Sequence, residues 1–206
     1  MTAWQNQPII RVRKGRYLFN FFINISAGVG GKCSMEGKRL TSYAMEELEC
    51  PKCGHKHSLK KYKVINVTEK AKLKEEIMKN RLYQFSCEEC EYMAPLTYDS
   101  LYVDSQRNIM IYMAPVMNAE IKAEIAELEQ EKGIDKRLVD NINDLKEKIM
   151  IADNHLDDRV IEIIKIMYID QMKKEMEDDT LLNILFDYNR DNYCFLVFFQ
   201  KKGIGK

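Results

Sequence analysis

Cys50-Pro51-Lys52-Cys53-Gly54 and Cys87-Glu88-Glu89-Cys90 are two C-x-x-C pairs in one chain. A C-x-x-C turn folds back so that both sulfurs face one point, which makes it half of a tetrahedral site. Two such halves give Cys₄, the closed coordination of a structural zinc. Thiolates are soft ligands, and an S₄ set selects zinc, with iron as second choice, over calcium or magnesium. The expected ligands are therefore Cys50, Cys53, Cys87 and Cys90. The same residues have a rival chemistry, because Cys50-Pro51-Lys52-Cys53 is formally a thioredoxin-style dithiol. That motif expects a helix beginning at the cysteine within a βαβ unit, whereas Gly54-His55-Lys56-His57 follows here and a second pair stands downstream. His55 and His57 could replace a thiolate, since neutral imidazole also binds zinc. With four cysteines available, they are expected at the surface beside the turn.

A catalytic zinc keeps three protein ligands and one open position for water. A closed Cys₄ offers no such position, so a non-enzyme is expected. Asp153, His155, Asp157, Asp158 and Glu162 form the other carboxylate-rich cluster. Asp158 and Glu162 share a helix face, which would suit a second metal or an acid–base pair. First-turn acids more commonly cap and solvate a helix start. No phosphate loop, nucleophile elbow or HExxH helix is present in the sequence.

These groups must be held by a fold, and the totals bound it. At 206 residues, 46% hydrophobic and 31% charged, the chain is globular material for one large or two small domains. Lysine plus arginine equals aspartate plus glutamate at 32 each. A nucleic-acid binder of this size more often carries a basic excess. Residues 1–44 hold Arg11, Arg13, Lys14, Arg16, Lys32, Lys38 and Arg39 against Glu36 alone. The rest of the chain, with both cysteine pairs, is correspondingly acidic, which argues against non-specific phosphate binding. Two further cysteines, Cys33 and Cys194, stand far apart. Four cysteines in metal-ligand spacing and two singletons suit a reducing compartment better than a disulfide scaffold, and a cytoplasmic location is expected.

The first forty-odd residues imitate a signal peptide: a basic run, then Tyr17 to Ile25, then Ser26, Ala27 and glycines. Asn20 and Asn24 interrupt an apolar run already too short to span a bilayer. The segment reads as a β-like appendage, a disordered leader, or residues ahead of a translation start at Met35 or Met45. From Met45 the pattern sharpens. Lys61 to Val67 alternates as a strand, and Thr68 to Asn80 reads as a helix with Thr68 as its cap. Arg81 to Ser86 and Tyr92 to Tyr98 read as strands around the second cysteine pair. Leu101–Val103 and Ile109–Tyr112 flank a polar loop as a hairpin. Asn118 to Lys132 is a helix stopped by Gly133. A short strand near Leu138, helices through Leu145 and Val160, and a hairpin from Leu181 to Phe199 complete the chain. Asn154 can cap the Val160 helix, with Asp157 and Asp158 in its first turn. Tyr92, Tyr98, Tyr102 and Tyr112 could stack on bases, but in a half-buried sheet such aromatics more often pack.

Cys50-Pro51-Lys52-Cys53-Gly54, the Val64-Ile65-Asn66 strand before a helix, and Phe85-Ser86-Cys87-Glu88-Glu89-Cys90 together resemble the CpXC proteins, an uncharacterised bacterial and archaeal family. Leu145 to Ile149 and Leu156 to Glu162 look like that family's helical region. The resemblance covers roughly residues 45–200 and leaves 1–44 unmatched. It implies a ribbon-type domain with four cysteine ligands, and it implies no activity. Glu91 stands where that turn commonly has glycine, and the second pair lacks proline.

The expectation is an α+β protein: a Cys₄ zinc ribbon extended into a small antiparallel sheet, then a helical segment and a terminal β-hairpin. Its expected parts are a leader (1–44), a ribbon domain (45–116) and a helix-plus-hairpin part (117–206). The expected function is a zinc-stabilised module that binds protein. A nucleic-acid-binding ribbon is the alternative, and a thiol redox protein the third reading.

Overall fold

The computed structural model describes residues 10–13, 16–21, 39–175, 180–189 and 192–200. Cys33, Met35 and the 201–206 tail lie outside the described residues, as does most of the 1–44 segment. Strands β1 (Ile10–Arg13) and β2 (Arg16–Phe21) come first, then β3 (Ser42–Glu49) and β4 (Lys56–Asn66). Helix α1 (Lys72–Met78) and a 3₁₀ turn (Arg81–Tyr83) lead to β5 (Gln84–Ser86) and β6 (Met93–Pro95). Next are β7 (Ser100–Asp104), β8 (Ile109–Met113), α2 (Ala119–Glu129) and β9 (Asp135–Val139). Helices α3 (Ile142–Asp153) and α4 (Asp158–Glu175) precede the final hairpin of β10 (Thr180–Asn189) and β11 (Asn192–Gln200). The chain is α+β, with a cysteine-bearing ribbon built on the β3–β4 and β5–β6 hairpins and a terminal hairpin. It divides into two compact units, 30–148 and 1–29 with 149–206.

In the 30–148 unit, five strands run in the order β3-β4-β7-β8-β9. The sheet is mixed, not antiparallel: β4 pairs parallel with β7, and β8 parallel with β9. Both parallel joins need a long crossover. The first carries α1 and the β5–β6 hairpin, and the second is α2. All five positions of β7 and of β8 are buried, which explains the apolar runs Leu101–Val103 and Ile109–Met113. Leu101, Val103, Met110 and Tyr112 pack against Ile121 and Leu128 of α2. The Asn118 side chain caps α2 by accepting from the Ile121 amide at 2.8 Å. Residues 117–148 thus belong with the ribbon-bearing unit, because β9 extends the same sheet.

Two local expectations change. Asn66 Oδ1, not Thr68, accepts the amides of Thr68 and Glu69 at 3.0 and 3.1 Å, and α1 begins only at Lys72. An Asx-turn at the strand end captures those amides first. Thr68 Oγ1 instead accepts the Ser105 amide at 2.8 Å. Residues 81–86 are a 3₁₀ turn followed by a three-residue strand, not one continuous strand.

The other unit is a four-stranded antiparallel sheet, β1-β2-β11-β10. Ile151, Ile161, Met172, Ile184, Phe186, Phe195 and Val197 form its core, so α4 packs on the terminal hairpin. Cys194 is buried in β11, where burial first, then Asp187, pushes its thiol up to about 11. Among the described residues no helix is long and apolar enough to cross a membrane.

Candidate metal centre

Each cysteine pair is the turn of a hairpin. The first joins β3 to β4, which pair from Ser42↔Val64 to Glu49↔Lys56. The second joins β5 to β6. The two turns are built alike. The Cys50 amide donates to the His55 carbonyl at 2.8 Å and the Gly54 amide to the Cys50 carbonyl at 2.9 Å. In the second turn, the Cys87 amide donates to Tyr92 at 2.8 Å and the Glu91 amide to Cys87 at 3.0 Å. Both need a left-handed residue four positions after the first cysteine, and Gly54 (φ +74°) and Glu91 (φ +57°) supply it. Glu91 therefore makes the turn despite its side chain.

The turns bring the four sulfurs together. Cys50 Sγ lies 3.6 Å from Cys90 Sγ, Cys53 Sγ lies 3.5 Å from Cys87 Sγ, and all four fall within 4.8 Å of one another. Sulfurs at about 2.3 Å from a tetrahedral centre stand about 3.8 Å apart, whereas disulfide sulfurs are about 2.0 Å apart. The spacing therefore fits a shared ion and not two disulfides. Cys50 and Cys87 are buried with Phe85, against Leu59, Tyr92 and Leu96. Lys52 Nζ donates to the Cys90 carbonyl at 3.3 Å, tying one turn to the other.

Electrostatics give the same picture. Burial opposes ionisation of Cys50, but the Cys53 and Lys52 amides and the neighbouring thiols bring its pKa down to about 7. Cys53 is helped by the His55 amide, yet burial and the surrounding Cys90, Cys87 and Cys50 push it up to about 12. Cys90 is raised, chiefly by burial. Four thiols on one point cannot all ionise without a cation among them.

His57 was expected at the surface and is instead half-buried, with Nε2 3.2 Å from Cys87 Sγ and its ring edge-on to Phe85 at 5.3 Å. Strand alternation held the signal: Leu59 faces the cysteine cluster, and His57, two residues earlier, shares that face. His55 is exposed and lies 5.0 Å from the His57 ring. Among the described residues the acidic cluster is not drawn into a metal-holding group. Asp157 Oδ1 caps α4 by accepting the Arg159 amide at 3.0 Å. Asn154 does not cap α4; its side chain donates back to the Met150 carbonyl at 2.8 Å. His155 (φ +55°) is the left-handed residue that ends α3, with its own amide on Ala152 and that of Leu156 on Ile151. Tyr98, Tyr102 and Tyr112 are buried and offer no stacking surface.

The family model described as CpXC protein matches residues 48–165, more than half of the chain. The chain belongs to the CpXC family. The match begins just before the first cysteine pair and ends within α4, so the CpXC region includes both turns, strands β4 to β9 and α3. No curated protein and no solved structure matches this CpXC chain.

Proposed function

We propose that this CpXC protein is a binding or adaptor module that acts through protein contacts and whose ribbon is stabilised by a structural zinc. The observation that carries the reading is the closed donor set of Cys50, Cys53, Cys87 and Cys90 around one point. Four thiolates select zinc, with iron as second choice, and leave no coordination position for a water or substrate. In this reading the protein is not an enzyme, and its thiolates imply a reducing compartment such as the cytoplasm. The ligands come from two hairpins far apart in sequence, so metal-binding energy is folding energy for the ribbon.

The surface of the ribbon arm favours a protein partner over nucleic acid. Tyr43 and Met45 are exposed on β3, and Leu40 is exposed just before it. Two lysines of β4 face acids on β3: Lys61 pairs with Glu46 at 2.6 Å, and Lys56 registers with Glu49. Lys60 Nζ sits 4.9 Å over the Tyr43 ring. No single-sign field for a phosphate backbone results. Against the redox reading, the first C-x-x-C lies in a hairpin turn and not at a helix start.

The test is anisotropy of labelled single-stranded DNA and RNA with zinc-loaded protein at about 0.15 M salt. No saturable binding is expected. Saturable binding that weakens steeply with added salt would promote the nucleic-acid reading.

A further inference from the structure

We infer that α4 carries a self-recognition face that docks the same helix of a second copy of this chain, antiparallel, about a two-fold axis level with residue 165. The inner side of α4 is committed to its own unit: Ile161 and Met172 are buried in the core, with Ile164 and Tyr168 packed against it. The outer side is apolar as well. Val160 is 38% exposed, Ile163 58%, Ile166 64% and Met167 66%. Four large apolar side chains in two turns of one helix are a patch and not scattered surface residues.

The spacing names the occupant. Val160, Ile163, Met167 and Asp170 follow one another at intervals of three, four and three, the seam spacing of a helix pair. In an antiparallel pair centred on residue 165, Ile163 meets Met167 of the second copy, and Met167 meets its Ile163. At each end Val160 comes level with Asp170 of the second copy. Arg159, one residue outward and 79% exposed at its side chain, stands beside that carboxylate. The two-fold axis makes this charge pair twice. The helix dipoles also oppose, which favours the antiparallel sense. A parallel pair would set Asp170 against Asp170 and Arg159 against Arg159, which costs stability. Arg159 also holds Asp157 at 2.6 Å, and its fork has donors for both carboxylates.

One helix pair is a small interface, so association in the micromolar range is expected. The inference is separate from the metal reading, because α4 and the four cysteines belong to different compact units. A chain that binds no zinc and still dimerises would sink the metal reading alone.

The test is sedimentation velocity on the full chain from about 1 to 200 μM, spanning the expected range. A concentration-dependent dimer is expected. I163E/M167E should weaken it at least tenfold while leaving the far-ultraviolet circular dichroism unchanged, since both positions are exposed. R159D and D170R should each weaken it, and R159D/D170R together should restore it. A wild-type chain that stays monomeric throughout would overturn the inference and assign the face to some other cover. So would a dimer indifferent to I163E/M167E, or one in which the double charge swap fails to rescue.

Discussion

Gly54 and Glu91 occupy the same position of two equivalent turns, each four positions after the first cysteine of its pair and each left-handed, at φ +74° and +57°. Only one of them is glycine. A left-handed non-glycine residue costs roughly 1–2 kcal/mol, part of which glycine returns through the freedom of its unfolded chain. Glu91→Gly should therefore stabilise the protein by about 0.5–1 kcal/mol. Gly54→Ala should destabilise it by about 1 kcal/mol through the backbone alone, since an added Cβ would meet only Glu49 Oε1 at 3.6 Å. Urea unfolding of the two variants with zinc bound checks both signs.

The same reasoning applies to His155, which ends α3 in the left-handed conformation. His155→Gly should raise the midpoint of thermal unfolding by a few degrees. A drop on this substitution would mean that the imidazole has a role beyond the helix end.

Asp104 is a buried carboxylate at the β7–β8 turn. It holds Lys74 Nζ at 2.9 Å, accepts from Tyr102 Oη at 3.2 Å, and accepts the Gln106 and Arg107 amides at 3.0 and 3.1 Å. Asp104→Ala strands all of these and should cost about 3 kcal/mol. Asp104→Asn keeps an acceptor for the two amides and should cost less. Equilibrium urea denaturation of the pair separates the charge from the turn.

Acid stability has a specific contributor in Glu69. The Thr41 amide, which donates to Glu69 Oε2 at 2.8 Å, holds its carboxyl below the ordinary value, with help from the Thr41 hydroxyl and Lys70 and against a smaller effect of burial. A folded pKa below the unfolded one adds stability that is present above about pH 4.3, the unfolded value, and is lost as pH falls through the folded one. Glu69→Gln should lower stability at neutral pH and converge on the wild type in acid. Denaturation midpoints of both proteins at pH 7 and at about pH 3 check this.

The elements that bind the cysteines were legible because their signals are local. C-x-x-C spacing defines each turn, and a polar loop splits β7 from β8. What escaped the sequence was contact at a distance. Nothing in Val64 to Asn66 says that its neighbour is β7, or that it runs parallel, since alternation encodes faces and not partners. The pairing of β2 with β11, from Tyr193↔Phe21 to Phe198↔Arg16, joins the two ends of the chain and leaves no short-range trace. Thr68 has a cap's side chain, but Asn66 closes an Asx-turn over the Thr68 and Glu69 amides, and the Thr68 hydroxyl is taken by the Ser105 amide. His57 packs against Cys87 because strand alternation puts it on the cysteine face, a signal that a count of thiolate ligands leaves out.

The zinc reading is tested most directly by metal content per chain, measured on protein purified without a metal-binding tag, with free thiols counted in parallel. The expected result is about one zinc per chain, released only when the thiols of Cys50, Cys53, Cys87 and Cys90 are modified. One iron in its place would keep the site and change the metal. No metal, with two disulfides among those four cysteines, would contradict the account.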